Sequence, residues 1–366
     1  MTARTLIRTL LTLTWTLGLI PVAHADQTSE DAAAELLKRK LQNEDPQKKA
    51  LLDAVKGKDI IVVAGSMDHI DQVLRAAHIR FTEIQPHQLA DYALKQDQIV
   101  MINCPGRIPR AGLERIQKFV RSGGLLYTTD WSLANVIEKI FPGTIAYNGE
   151  GTADEVAPVV VDKQSDNIMS RMLLTSKSEP QWWLEGGSYP IKILDKDKVE
   201  VLAHSPMMGK KYHGAPVVVR FRWEDGEVIH VVSHFYRQIS THGPAIAAAD
   251  AAEAFDGLTE KDKREFAAKP AAQAKLGDVE SSYAFQRMTS NMVIGKQERN
   301  KELDRVYNQT VAAPAPMEVQ GAGGTLSAEL KPGTKLRILG RKGSQVQVRD
   351  DSGEEGWLDE KALVAR

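Results

Sequence analysis

Cysteine is almost missing from this chain: among 366 residues there is one, Cys104. A single thiol excludes an internal disulfide, so stability has to come from an ordinary hydrophobic core. Excess charge is lacking as well. Lysine and arginine number 47 against 48 acids, a formal net charge of −1, which gives no footing for nucleic acid. Beyond the first 25 residues no apolar run approaches the length of a membrane span, so no span is expected in the mature chain. Histidines at ligand spacing, such as His-x-x-x-His, are absent too. Spacing alone therefore points to no metal, and no cofactor is expected.

What is present begins with a targeting pattern. Arg4 and Arg8 precede the apolar run from Leu10 to Val22, and Ala23-His24-Ala25 is a small-x-small cleavage site before Asp26. Together they read as a secretory signal peptide, which makes the expected location periplasmic or secreted. Removing Arg4 and Arg8 with it takes the formal charge from −1 to −3.

The rest of the chain is organised around Gly123 to Ser132, read as a helix stop, a short buried strand and a polar turn in immediate succession. A helix from Pro109 carries Leu113, Ile116 and Val120 on one face before Gly123 ends it. Upstream, Asp45-Pro46 is an N-cap and first helical residue. Ile60 to Ala64 and Ile99 to Ile102 are continuous apolar runs, the pattern of strands buried on both faces. Strands alternating with helices on short connectors predict a doubly wound parallel sheet of the α/β class. After Thr144 the texture changes to turns and short strands, read as an insertion, and Val217 to Ser233 forms a hairpin around Glu224-Asp225-Gly226. A terminal helix is expected over Ser281 to Tyr307. The Pro- and Ala-rich stretch from Val311 reads as a linker. The domain plan is thus a signal peptide (1–25), a helical lead-in (26–58), a sheet domain (59–310), a linker (311–324) and a small all-β module (325–366) with Trp357 in its core.

Ile99-Val-Met-Ile-Asn-Cys-Pro-Gly106, Phe119-Val-Arg-Ser-Gly-Gly-Leu-Leu-Tyr-Thr-Thr-Asp-Trp131 and Val231-Val-Ser-His-Phe-Tyr236 give the sheet domain its resemblance. It resembles the class I glutamine-amidotransferase-like superfamily and, within it, the trehalose-utilisation-type proteins. The resemblance implies a flavodoxin-like fold, with a Gly-x-Cys-x-Gly elbow and a late His-Pro-Glu in the enzymes. This chain has Thr128-Thr129-Asp130-Trp131-Ser132 at the elbow and His234-Phe235-Tyr236 late in the domain. The histidine remains and both of its working partners are gone, so glutaminase chemistry is not expected. Leu330-Lys-Pro-Gly-Thr-Lys-Leu336, Val346-Gln-Val-Arg349 and Gly356-Trp-Leu358 resemble a bacterial SH3-like domain, which implies a small barrel in contact with cell-wall glycan or peptide, or with an envelope protein.

In an open parallel sheet, ligands collect outside the carboxyl ends of the strands. The candidate ligand-binding residues there are Ser66, Asp68, His69, Asp130, Trp131, Trp183, Tyr189, His234, Tyr236 and Arg237. His234, Asp130 and Cys104 are the catalytic candidates. Each has a plainer reading: a lone cysteine at a strand exit packs as a small hydrophobe, an Asp–His pair closes a polar crevice by hydrogen bonds, and the aromatics pack at the insertion boundary. The leading expectation is a non-catalytic, exported binding or scaffolding protein. The alternative is a hydrolase acting on a carbohydrate or cell-wall fragment through a crevice containing Asp130, His234 and Cys104, with His234 as general base.

Overall fold

The computed structural model describes residues 27–234, 246, 253–321 and 324–366. The signal-like segment, Tyr236 and Arg237 lie outside the described residues. Helices α1 (Gln27–Glu44) and α2 (Pro46–Asp53) open the fold, and Asp45 caps α2 as its spacing predicts, accepting from the Lys48 backbone N–H at 3.0 Å.

The apolar runs become the middle of a sheet. β1 (Ile60–Val63), β3 (Ile99–Ile102) and β4 (Leu125–Thr129) are buried along their full length, while β2 (Thr82–Ile84) is a more polar edge. α3 (Ile70–Ala76) joins β1 to β2, and α4 (Arg110–Arg121) joins β3 to β4 with Leu113, Ile116, Phe119 and Val120 buried. Pro109 precedes α4 as its cap rather than its first turn. After β4 comes a π-helical turn, Leu133–Ile137, running into the short α5 (Glu138–Ile140).

The insertion is two small antiparallel pairs, β5 (Ile145–Tyr147) with β9 (Ile191–Ile193) and β6 (Glu155–Pro158) with β8 (Gln181–Leu184). β7 (Val160–Val161), β10 (Val199–His204), α6 (Pro206–Tyr212), β11 (Pro216–Trp223) and β12 (Gly226–Val231) follow. The large sheet runs β2-β1-β3-β4-β12-β11-β10-β7. Its first five strands are parallel. The other three are antiparallel: the hairpin expected over Val217 to Ser233 returns β11 beside β12 and lets β10 and β7 extend the edge, so the sheet is mixed.

After α7 (Glu260–Ala267), the helix α8 (Leu276–Val306) is longer than its sequence pattern suggests. One stripe of it, Phe285, Met288, Met292 and Val293, packs on the main core, and another, Val279, Tyr283 and Ile294, closes a second core with Leu36, Leu37 and Leu41 of α1.

The last segment is a separate antiparallel sheet built from β13 (Gln309–Val311), β14 (Ala315–Gly321), β15 (Gly324–Leu330), β16 (Leu336–Lys342), β17 (Gln345–Asp350), β18 (Glu355–Asp359) and β19 (Leu363–Ala365), in the order β15-β14-β18-β17-β16-β13-β19. The stretch that reads as a linker therefore supplies strands: Met317 and Val311 point into this module's core with Leu336, Val346 and Leu358. Trp357 is half-buried rather than core, beside the 66% exposed Leu326 in a surface groove.

This module docks on the amino ends of β3, β4 and β12. Arg349 is the anchor: it donates to the Arg121 carbonyl at 3.0 Å and to Asp225 at 3.1 Å, and pairs with Glu224. Arg337 pairs with Asp225, and Lys118 of α4 meets Glu354 at 2.5 Å. The turn at Gly353 lies so close to α4 that a Cβ there would fall 2.1 Å from the Lys118 carbonyl oxygen. The carboxyl ends of the strands are left to the insertion. No helix among the described residues is long and apolar enough to cross a membrane.

Candidate functional site

Four strand exits converge at the carboxyl end of the parallel strands. Gly65, just past β1, makes this approach feasible: a Cβ there would lie 2.2 Å from the Cys104 carbonyl oxygen and 2.6 Å from the Asn103 Cβ. The Asn103 side chain in turn accepts from the Ile70 N–H at 3.1 Å, tying the exit of β3 to the start of α3. Thr129, the last residue of β4, bridges the same two exits. Its Oγ1 accepts from the Cys104 N–H at 3.2 Å and donates to Asp68 at 2.6 Å.

Asp130 follows with φ +42°, a left-handed bend that non-glycine residues rarely adopt. The turn after β4 is therefore tight, with a carboxylate at its tip. Asp130 Oδ1 accepts from the Tyr189 N–H at 2.7 Å, and Oδ2 accepts from the Ser188 hydroxyl at 3.2 Å. The same Oδ2 lies 3.8 Å from the Cys104 sulfur and 3.2 Å from His234 Nε2. On its other side, His234 Nδ1 faces a Glu185 carboxylate oxygen at 3.0 Å. Among the described residues neither ring nitrogen makes a well-aligned hydrogen bond, and these are contacts of charge.

The cluster is dry. Cys104 and Asp130 are 1% exposed and His234 is 0% exposed. Burial pushes the Cys104 thiol up, which keeps it protonated and removes the low-pKa thiolate that a catalytic cysteine needs. Burial also raises the Asp130 carboxyl, against the pull of His234 and the Tyr189 N–H. For His234 burial acts downward, but Asp130, Cys104 and Glu185 outweigh it and hold the imidazolium well above its ordinary range.

The sequence candidates divide accordingly. Cys104, Asp130 and His234 come together, and Asp68 stands behind them through Thr129. The two motif positions that would partner His234 hold other residues, as the sequence reads, and the ring instead lies beside Glu185 of the insertion and near Cys104 of the neighbouring strand. Trp183 pairs with His234 through backbone, its carbonyl accepting from the His234 N–H at 3.3 Å, with the two rings 5.9 Å apart. Its indole donates to Asp154 at 2.5 Å. Trp131 and Tyr189 stack at 5.6 Å, and Tyr189 stacks on Tyr147 at 3.9 Å, giving a half-buried aromatic wall joined to the cluster through the Tyr189 N–H. Ser66 is exposed, and His69 faces Asp71 at 3.6 Å rather than the cluster. Sequence reasoning missed Glu185, Ser188 and Thr129: Thr129 lies in the quoted motif but gains its role from the approach of the strand exits, while Glu185 and Ser188 gain theirs from the folding of the insertion over β4.

Separated residues thus supply what spacing did not show. The Cys104 sulfur, an Asp130 oxygen and a His234 nitrogen all lie within 4.8 Å of one another, close enough to share one ion.

No family model matches the chain, and no curated protein is similar enough in sequence to match it. Solved structures align with parts of it. An exo-β-1,4-mannosidase from an Opitutaceae bacterium is 12% identical over 49% of this chain and 32% of that one, at a TM-score of 0.34. This chain thus spans about a third of that enzyme's length. A cytoplasmic protein of Salmonella typhimurium is 11% identical over 50% of this chain and 91% of that one, at 0.37. A ThuA-like protein from Bacteroides uniformis is 11% identical over 49% of this chain and 81% of that one, at 0.35. Likeness at this level says nothing of chemistry.

Proposed function

We propose that the chain is an exported hydrolase of the cell envelope, acting on a carbohydrate or wall fragment at the Cys104–Asp130–His234 cluster. The observation that carries this reading is the convergence of thiol, carboxylate and imidazole at strand ends 26 and 104 residues apart in sequence, counted from Cys104 to Asp130 and from Asp130 to His234. Buried charge and a left-handed Asp130 both work against folding, and proteins concentrate such features where chemistry needs them. In this reading the cluster activates a water, Glu185 positions the imidazole, and the Trp131–Tyr189–Tyr147 wall offers flat apolar faces of the kind sugar rings pack against.

A non-catalytic binding protein is the second reading, favoured by one observation: the cluster is almost fully buried. Incubating the full-length protein with glycan and peptidoglycan fragments separates the two. Release of new reducing ends or free amines, lost in Asp130→Asn and His234→Ala variants that melt as the parent does, supports the hydrolase. No turnover across the panel, with fragments retained on the protein, supports the binder. Export is tested by fractionation and by sequencing the mature N-terminus, expected at Asp26. Wall contact through the C-terminal module is tested by sedimentation with isolated wall, where Leu326→Asp in the groove beside Trp357 is expected to lower retention.

A further inference from the structure

We propose that Cys104, Asp130 and His234 form a three-ligand site for one divalent cation of the zinc class. The donor set is one thiol sulfur, one carboxylate oxygen and one imidazole nitrogen, a mixture that suits zinc and its close substitutes better than calcium or magnesium, which take oxygen alone. The spacing agrees. A tetrahedral ion bonded at about 2.3 Å to sulfur and about 2.1 Å to nitrogen and oxygen holds its ligand atoms roughly 3.3–3.6 Å apart. Here Asp130 Oδ2 stands 3.2 Å from His234 Nε2 and 3.8 Å from the Cys104 sulfur.

Two further observations point to a ligand. The first is the setting of His234, wholly buried with Asp130 at 3.2 Å from Nε2 and Glu185 at 3.0 Å from Nδ1, yet with no hydrogen bond of good alignment at either nitrogen among the described residues. An ion at Nε2 shared with Asp130 and Cys104 would satisfy that nitrogen. The second is the support behind each donor. Glu185 faces the distal nitrogen of the imidazole at 3.0 Å, the Tyr189 N–H holds the outer oxygen of Asp130 at 2.7 Å, and Thr129 fixes the Cys104 backbone at 3.2 Å. Orienting contacts of this kind accompany metal ligands, the carboxylate behind a ligating histidine above all. On binding, the Cys104 thiol and the His234 imidazolium each give one proton to solvent, and Nε2 coordinates in its unprotonated form. Asp68, buried and held by Thr129, stands on the same side of the sheet.

This inference deepens the hydrolytic reading, since an open position on such an ion would hold the water to be activated, but its test is independent of turnover. Full-length protein stripped with chelator is titrated with Zn²⁺ and with Co²⁺, and bound metal is counted by elemental analysis. One ion per chain is expected, with a near-ultraviolet thiolate-to-cobalt band. Cys104→Ser should abolish the band, and Asp130→Asn and His234→Ala should each weaken binding at least about 100-fold. Glu185→Gln, which only positions the imidazole, should weaken it roughly 10–100-fold. Melting curves of the metal-free variants show that each still folds. Binding that none of the substitutions alters, or no binding at micromolar metal, overturns the site. Metal bound without hydrolysis keeps the site and removes the hydrolytic reading; hydrolysis unaffected by chelation does the reverse.

Discussion

The two ends of the large sheet handle charge in opposite ways. At the amino end, Arg349, steadied by Glu355 of its own module, reaches to Glu224 and Asp225 of the hairpin turn, and its partners remain partly solvated, Glu224 being 41% exposed. At the carboxyl end, Asp130 and His234 are packed dry with a thiol between strand exits. The first arrangement joins two cores. The second holds reactive groups in a fixed geometry at a cost to folding, and the difference separates an interface from a site.

Substitutions at the two ends should therefore differ in what they disturb. The largest effect is expected for Arg349→Ala, which strips the counter-charge from the acids of the hairpin turn. A loss of about 3 kcal/mol in urea unfolding is expected, the low end for a buried pair because Glu224 is partly solvated. Early proteolytic release of the module should accompany it, and a loss below about 1 kcal/mol would mean that the cores dock by shape alone.

Gly65→Ala sharpens the carboxyl end, because its Cβ meets the Cys104 carbonyl oxygen at 2.2 Å. Pushing β1 and β3 apart should cost about 1–3 kcal/mol by thermal unfolding and weaken metal binding with it. If stability falls while metal affinity holds, the approach of the two exits matters to the fold and not to the site.

Lys296 of α8 tests the amino end by pH. It is fully buried, its ammonium donating to the carbonyl oxygens of Gln96 at 2.5 Å and Gly123 at 2.8 Å, and burial lowers its pKa from 10.5 to about 7. Between these values the unfolded chain holds a proton that the folded one has released, so this group makes stability rise with pH from about 7 to about 10. The slope is at most about 1.4 kcal/mol per pH unit. Comparing wild type with Lys296→Met by denaturant unfolding should show that component vanish. Equal slopes would mean that the ammonium stays charged in the fold.

The smallest stability change is expected for Asp130→Asn. Its amide keeps the size of the side chain, its one oxygen can still accept from the Tyr189 N–H, its NH2 can donate to the Ser188 hydroxyl, and Glu185 still faces the His234 ring, so unfolding should shift by less than about 1 kcal/mol. Function, by contrast, should be lost.

Much of the architecture was legible because burial leaves a linear trace. Ile60 to Val63 and Ile99 to Ile102 are apolar at every position, and only a strand covered on both sides needs that. Asp45-Pro46 and the Glu224 turn were equally local. β14 was misread because Pro314 and Pro316 resemble a stiff connector, yet Met317 and Ala315 bury their side chains in the last module. Trp357 shows the converse: a tryptophan in a short all-β module reads as core, and it sits half-exposed at a groove.

The site was legible in its parts only. Cys104, Asp130 and His234 each stand just past a strand, and that position is written in the chain. Their meeting is not, nor is the arrival of Glu185 and Ser188, because it depends on which strands lie side by side and on how the insertion folds back over β4. By itself the sequence determined the strands, the helices and the polar residues at their ends, since these follow from hydrophobic pattern and turn chemistry within a few neighbouring residues. Only the tertiary structure decided that a thiol, a carboxylate and an imidazole share one dry hollow, because contacts between distant segments are set by sheet order and packing, which no local pattern encodes.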